Sequence, residues 1–171
     1  TKVVDFKGAN FRQQQLVVRF NGFNKVVPLS KAIDAPSFKL PVEKNEITAG
    51  PFRVFQVENE KKTDIVAVKF GVTYTGSNIG IVAPSAASLK FPNGSEFAHM
   101  KNRIKPMLLE NGQTDNFKAV WRDIPVKNNG DAQFANLEIL WKETFLEGKS
   151  ETIPAKDFTM EWDPGITKAK K

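Results

Sequence analysis

The stretch DIVAVKFGVTYT, residues Asp64–Thr75, alternates large apolar side chains with smaller or polar ones. Its apolar members occupy every second position and are Val66, Val68, Phe70, Val72 and Tyr74. A period of two is that of a β-strand with one face packed on a core. We therefore predict that this stretch is a central strand of an antiparallel sheet.

The same alternation recurs along the chain, and turn-forming residues separate its segments. From Ile47 onward the turn signals follow one another every ~8 to 12 residues, the spacing of an immunoglobulin-like sandwich. We predict an all-β fold, an immunoglobulin-like β-sandwich with an appended N-terminal β-hairpin. The predicted strands are Gln14–Phe20, Phe23–Leu29, Phe52–Glu58, Asp64–Thr75, Ile79–Val82, Leu89–Phe91, Glu96–His99, Gln113–Ile124, Phe134–Phe145, Ser150–Ile153 and Phe158–Trp162.

The N-terminal hairpin spans Gln14–Leu29 around Asn21-Gly22, a pair typical of two-residue type I′ turns. The segment Ser30–Asn45 carries two prolines and no sustained period, which predicts a connecting loop. We therefore divide the chain into three parts. Residues 1–45 form the hairpin and its loop, packed on the main domain; residues 46–163 form the sandwich; residues 164–171 form a basic tail.

The composition is that of a globular domain, with 40% hydrophobic and 26% charged residues. The absence of Cys excludes disulfides, thiolate nucleophiles, zinc–thiolate sites and iron–sulfur clusters. No apolar run approaches the ~18 residues of a membrane-spanning helix, so we expect no transmembrane segment. Lys168, Lys170 and Lys171 supply three of the six net positive charges, which leaves an ordinary charge on the body.

A hydrolytic centre would have to use His99, the only histidine, with a serine such as Ser88 or Ser95. No G-x-S-x-G motif accompanies them, so a loop or strand-end histidine is the simpler interpretation. A soft copper site would draw on His99, Met100, Met107 and Met160. Methionines scattered so widely are typical of core packing. We predict no catalytic residue, no metal site and no cofactor.

Oxygen-bearing side chains offer no stronger site. Glu58 and Glu60 flank a polar turn, where carboxylates are solvated, so acid–base chemistry of the glycosidase type is not expected. Asn128, Asn129 and Asp131 have oxygens that Ca²⁺ accepts, but they are too few for its ~6 to 8 ligands. A Gly-containing turn explains these three residues more simply.

The basic cluster Lys101, Arg103 and Lys105 raises the question of nucleic-acid binding. Binding without base readout needs a larger basic face interleaved with exposed aromatic side chains. The aromatic residues here alternate with polar ones and so belong to a core, and Gly-rich phosphate loops are absent. We expect no nucleic-acid partner.

Tryptophan side chains on an open sheet face could stack on sugars. Trp141 shares its predicted face with Leu137 and Ile139, and Trp121 shares its face with Phe117, so both indicate core positions. Trp162, near the end of the last strand, is the best candidate for exposure. A sugar-binding surface would therefore rest mainly on that residue.

Four segments carry a family resemblance: Phe52–Tyr74, SLKFPNGSEF at Ser88–Phe97, LLENGQT at Leu108–Thr114 and KAVWRDIP at Lys118–Pro125. They resemble a family of bacterial extracytoplasmic immunoglobulin-like domains that is labelled telomeric-repeat-binding-factor-2-like, a name that carries no telomere function. The resemblance covers Ile47–Trp141. It supplies no site residues, because the family has no common site. It implies a secreted or periplasmic binding or accessory module whose signal peptide has been removed.

The residues and the resemblance together predict a non-enzymatic extracytoplasmic module of unknown function that binds another protein or a cell-envelope component. An unpaired edge strand would be a natural contact surface, for a partner or for a homo-oligomer. The alternative is a carbohydrate-binding β-sandwich module.

Overall fold

A computed structural model describes residues 15–20, 23–29, 31–41, 45–98, 105–125 and 130–161. Within them the chain forms fourteen strands and one short 3₁₀ helix, Pro84–Ala86. The strands are β1 Gln15–Phe20, β2 Phe23–Pro28, β3 Phe38–Leu40, β4 Glu46–Ala49, β5 Phe52–Lys61, β6 Val66–Tyr74, β7 Ile79–Val82, β8 Ser88–Lys90, β9 Glu96–Ala98, β10 Met107–Leu109, β11 Thr114–Trp121, β12 Leu137–Leu140, β13 Phe145–Ile153 and β14 Lys156–Glu161.

These strands build three four-stranded antiparallel sheets and one two-stranded pair. Sheet I has the order β11-β6-β5-β4, sheet II the order β3-β12-β8-β9, and sheet III the order β10-β7-β13-β2. β1 pairs with β14. The predicted all-β class is therefore confirmed, and the sheets are consistent with a β-sandwich. The immunoglobulin-like topology stays a prediction.

The chain divides into two compact units. The larger unit is Val26–Ser150, and the smaller consists of Thr1–Lys25 and Glu151–Lys171. In the smaller unit β1 and β14 are antiparallel, from Gln15 opposite Glu161 to Phe20 opposite Lys156. Thr152 Oγ1 donates a hydrogen bond to Asn24 Oδ1 at 3.0 Å in the same unit.

The alternation in Asp64–Thr75 produces the predicted central strand. β6 lies between β5 and β11 in sheet I. The five apolar side chains that alternate along it are fully buried: Val66, Val68, Phe70, Val72 and Tyr74. This row forms the sheet I side of the hydrophobic core of the larger unit.

Aromatic rings join sheet I to the other two sheets within the larger unit. The Phe70 ring on β6 packs edge-on against Phe38 of β3, with ring centroids 5.2 Å apart. Phe52 on β5 packs against Phe145 of β13, with centroids 5.3 Å apart. Because side chains of facing sheets interdigitate in this way, the core is the two-layer core expected of a sandwich.

The predicted hairpin Gln14–Leu29 is wrong in its pairing. β1 pairs with β14, and β2 pairs with β13, so the two strands are not each other's partners. The turn residues 21–22 lie outside the described residues. An Asn-Gly pair between alternating segments is a local signal, whereas the partners of both strands come from the far end of the sequence.

The predicted loop Ser30–Asn45 contains a core strand. β3 pairs with β12 in sheet II, and its Phe38 and Leu40 are both about 1% exposed. The larger compact unit begins at Val26, and the predicted domain boundary at residue 46 stays a prediction. A strand of three residues between two prolines is too short to show a period, which is why the sequence pattern did not predict it. The boundary of the predicted basic tail at 164 lies outside the described residues.

The predicted strand Ser150–Ile153 starts too late, because β13 runs without interruption from Phe145 to Ile153. Gly148 lies within this strand, where it allows close packing. A Cβ atom on Gly148 would lie 2.7 Å from Val26 Cγ1 and 2.8 Å from Ile81 Cδ1. Only glycine fits between these neighbours in a straight strand.

None of the helices in the described ranges is long and apolar enough to cross a membrane.

We expect Phe70→Ala to lower the free energy of unfolding by about 3 to 5 kcal/mol, because it empties the space of a fully buried ring. Denaturant titration measures this change. Phe134→Ala is the matched control, since Phe134 is 79% exposed and should change the free energy by less than about 0.5 kcal/mol. A loss below about 1 kcal/mol for Phe70→Ala would contradict the register of β6.

Candidate functional site

The most distinctive open surface in the described part of the larger unit is a groove between β3 and β4. β3 is an edge strand of sheet II and β4 is an edge strand of sheet I. The groove encloses about 430 Å³ and is lined by Pro36, Ser37, Phe38, Lys39, Glu46, Ile47 and Thr48. The site is therefore the place where the two facing sheets open at one side. We call it the edge groove.

The hydrogen bonds of β4 to β5 determine which backbone groups face this groove. The N–H of Gln56 donates to the carbonyl of Asn45 at 2.9 Å. Hydrogen-bonded pairs alternate along an antiparallel ladder, so Ile47 and Ala49 also bond to β5. The N–H and C=O groups of Glu46 and Thr48 consequently point away from β5, toward the open edge.

The side chains of the edge groove divide by face. Phe38 is buried, and Ile47 is half-buried and packs against the core, so the inner wall of the groove at Ile47 is apolar, while Ser37 and Lys39 make its rim polar. Glu46 and Thr48 are exposed on the opposite face of β4. The Glu46 carboxylate pairs with the Arg53 guanidinium, with 2.8 Å between Oε2 and Nε, so its charge is compensated.

The other edges of sheets I, II and III are shorter, covered or interrupted. β9 and β10 each have three residues. β11, the second edge of sheet I, is contacted by the 3₁₀ helix Pro84–Ala86. β2, an edge of sheet III, ends at Pro28, which has no N–H to donate. Short or covered edges are the usual protection against unwanted strand pairing.

A second cavity of about 430 Å³ lies across β3, lined by Lys39, Leu40, Pro41, Pro92, Asn136, Leu137 and Glu138. Charges alternate in the row of sheet II that passes beside it. Lys39 and Lys90 both lie opposite Glu138, and Glu96 lies opposite Lys90. Opposite charges in direct register stabilise a sheet, so this row has a structural explanation.

The hypothetical hydrolytic and copper centres both require His99, which lies outside the described residues together with Met100. The hydroxyls of Ser88 and Ser95 donate to Glu96 Oε2 and Asn93 Oδ1. Met107 packs against the core, as expected for a core methionine. No described group of three or more acidic, His or Cys residues could hold a metal ion.

Glu58 and Glu60 lie on β5 and not on a turn, because β5 continues to Lys61 after a β-bulge between Gln56 and Glu58. The Glu60 carboxylate is 2.7 Å from Lys62 Nζ. This hydrogen-bonded ion pair lowers the pKa of Glu60. A glycosidase acid needs a raised pKa, so Glu60 is unsuited to that task.

Asp131 holds a turn, as predicted for the Asn-Asn-Gly-Asp segment, whose residues 128 and 129 lie outside the described ranges. Its Oδ1 accepts the N–H of Gln133 at 2.8 Å. The next residue, Phe134, is 79% exposed, and Lys61 Nζ donates to the carbonyl of Ala135 at 2.8 Å. Burial lowers the pKa of Lys61. These hydrogen bonds hold the backbone of the turn on either side of an exposed ring.

The predicted core positions of two tryptophans are confirmed. Trp121 is fully buried and Trp141 is 4% exposed, so neither presents a face to a sugar. Trp162, together with Lys101 and Arg103 of the basic cluster, lies outside the described residues. Lys105 is exposed.

A polar cluster around the buried Tyr74, with the half-buried Glu147 and the exposed Asn78, was not predicted from the sequence. The Tyr74 hydroxyl donates to Glu147 Oε1 at 2.6 Å and accepts the N–H of Asn78 at 3.2 Å. A Cβ atom on Gly80 would lie 2.7 Å from the Tyr74 ring, so the glycine admits the ring. Burial and the hydrogen bond to Glu147 raise the pKa of Tyr74 to about 12. The hydroxyl therefore stays protonated at neutral pH and ties β6 to β13 through Glu147.

Comparisons with known proteins found no matching family model, no matching curated protein and no matching solved structure.

We expect the near-ultraviolet absorbance of tyrosinate to appear near pH 12 in the folded chain and near pH 10 in denaturant, because Tyr74 is the only tyrosine. A folded-state pKa above the unfolded value means stability that is complete below about pH 10 and is lost as the pH rises toward 12. The stability difference between wild type and Tyr74→Phe should shrink over that range. Titration near pH 10 in the folded chain would contradict the cluster.

Proposed function

We propose that this chain is a non-enzymatic binding module that takes an extended segment of another protein as an added strand along β4, in the edge groove. The observation that carries the proposal is the orientation of Glu46 and Thr48. Within the described residues their backbone N–H and C=O groups face the groove, and no strand is paired with β4 on that side. Such groups form the template on which a partner strand can pair.

The partly exposed side chain of Ile47 in the groove supports the same function. A bound strand would bury the exposed part of Ile47 and gain about 25 cal/mol for each Å² of apolar surface removed from water. Each added backbone hydrogen bond contributes roughly 0.5 to 1.5 kcal/mol. Because β4 has only four residues, the sum is modest, and we expect a transient interaction.

The chemistry of the described side chains supports a binding role over an enzymatic one. The pKa of Glu60 is lowered, the hydroxyls of Ser88 and Ser95 are hydrogen-bonded to other side chains, and the Tyr74 hydroxyl is buried. The carbohydrate-binding alternative loses support because Trp121 and Trp141 are buried. An extracytoplasmic location and an envelope partner remain part of the proposal on the family resemblance alone.

We expect Thr48→Pro to abolish binding of library peptides. Proline removes the N–H that faces the edge and fills its place with a ring, but β4 keeps its bonds to β5 because these come from Ile47 and Ala49. The probe is a displayed library of random seven-residue peptides, selected on the wild-type chain. Fluorescence anisotropy with the selected synthetic peptides measures binding.

Thr48→Val is the matched control, since it retains the N–H and should bind as the wild type does. Thermal unfolding of both variants checks that the fold is intact. Selected peptides that bind Thr48→Pro and wild type equally would overturn the proposal, as would a selection that enriches no peptide. Should Thr48→Pro unfold, protection of the Glu46 and Thr48 amides from hydrogen exchange on peptide binding decides in its place, and unchanged exchange overturns the proposal.

A further inference from the structure

We infer that the edge groove selects segments in which apolar and polar residues alternate, with the apolar side chains directed into the groove. This inference rests on the proposed function and adds the chemical class of the partner. It follows from the register of β4, because the backbone direction and the side-chain direction of each residue in a strand are coupled. The two directions can be assigned separately for β4 and then transferred to a strand that pairs with it.

The backbone direction comes from the ladder. We take the bound strand to be antiparallel to β4, as every pair of strands in sheet I is. Glu46 and Thr48 offer their N–H and C=O groups to the edge, so the residues of that strand that lie opposite them form the hydrogen-bonded pairs. The residue between these two lies opposite Ile47. Its N–H and C=O groups point away from β4, into solvent or toward β3.

The side-chain direction comes from burial. Ala49 is 1% exposed and Ile47 packs against the core, so these residues face inward, and Glu46 and Thr48 face outward. Directly opposite residues in a sheet point to the same face. The bound residue opposite Ile47 therefore points into the groove beside Phe38 and Pro36.

The bound residues opposite Glu46 and Thr48 join a polar face. Thr48 lies opposite Arg53, Arg53 lies opposite Thr73, and Thr73 is hydrogen-bonded to Thr114 at 2.7 Å. This row crosses all four strands of sheet I with polar side chains. An added outer residue continues the row, and a polar one avoids exposing apolar surface.

In the bound strand, the residues that bond to the backbone of β4 and the residues that carry apolar side chains therefore alternate. Residues with polar side chains make the backbone bonds to β4, and residues with apolar side chains make none. A partner that binds by a loose hydrophobic contact would show no such relation. The groove volume of about 430 Å³ is large enough for a bulky aliphatic or aromatic side chain at the inward position.

The test uses the tightest library peptide whose binding is lost with Thr48→Pro. A series of synthetic versions carries one N-methyl group at each backbone nitrogen in turn. We expect at least about tenfold weaker binding at alternate positions within the paired segment, and these positions carry the polar side chains. N-methylation at the apolar positions should change the affinity less than about threefold.

A second peptide of the same composition groups its apolar residues in one block and its polar residues in another. We expect it to bind at least about tenfold more weakly than the alternating peptide, because a strand cannot direct a block of neighbours to one face. Equal binding of the two peptides would overturn the inference. So would a loss of affinity on N-methylation at the apolar positions, or a loss that does not alternate from one residue to the next. In these cases the sensitivity to Thr48→Pro still supports strand addition. The absence of any Thr48→Pro-sensitive peptide would remove the proposed function itself.

Discussion

The contact on which the described core depends is the packing of the Phe70 ring against rings from neighbouring strands and the facing sheet. Its centroid lies 5.0 Å from that of Trp141, 5.2 Å from that of Phe38 and 5.5 Å from that of Phe117. Each such pair contributes about 0.5 to 1.5 kcal/mol beyond the burial of its area. The alternation in β6 places this ring and its apolar neighbours on the core face of sheet I.

The same packing produces the edge groove. Phe38 reaches Phe70 from β3, so β3 is held over the core at the margin of sheet II, beside β4 at the margin of sheet I. Phe38 is thus both a core residue and part of the groove lining. A site supported by a core ring is preorganised, and a partner strand then pays less ordering cost on binding.

Local patterns predicted the strands better than they predicted the pairing. The period of two in β6 is a local property, and it placed Phe70 and Tyr74 correctly in the core. The partner of β1 is a strand from the far end of the chain, which no local pattern identifies. Gly148 resembled a turn residue because tight packing and tight turning select the same amino acid. The edge groove was not predicted, since its two strands belong to different sheets and one was hidden in an apparent loop. A short strand of exposed Glu and Thr around one aliphatic residue is the only trace of the groove in the sequence.

A crystal structure of the chain with a peptide selected on it is the most direct test of strand addition in the edge groove. We expect electron density for the peptide as a fifth strand of sheet I, hydrogen-bonded to the backbone of Glu46 and Thr48, with an apolar side chain beside Phe38. A peptide bound to another edge, to the exposed Phe134 turn or to the outer face of a sheet would contradict it.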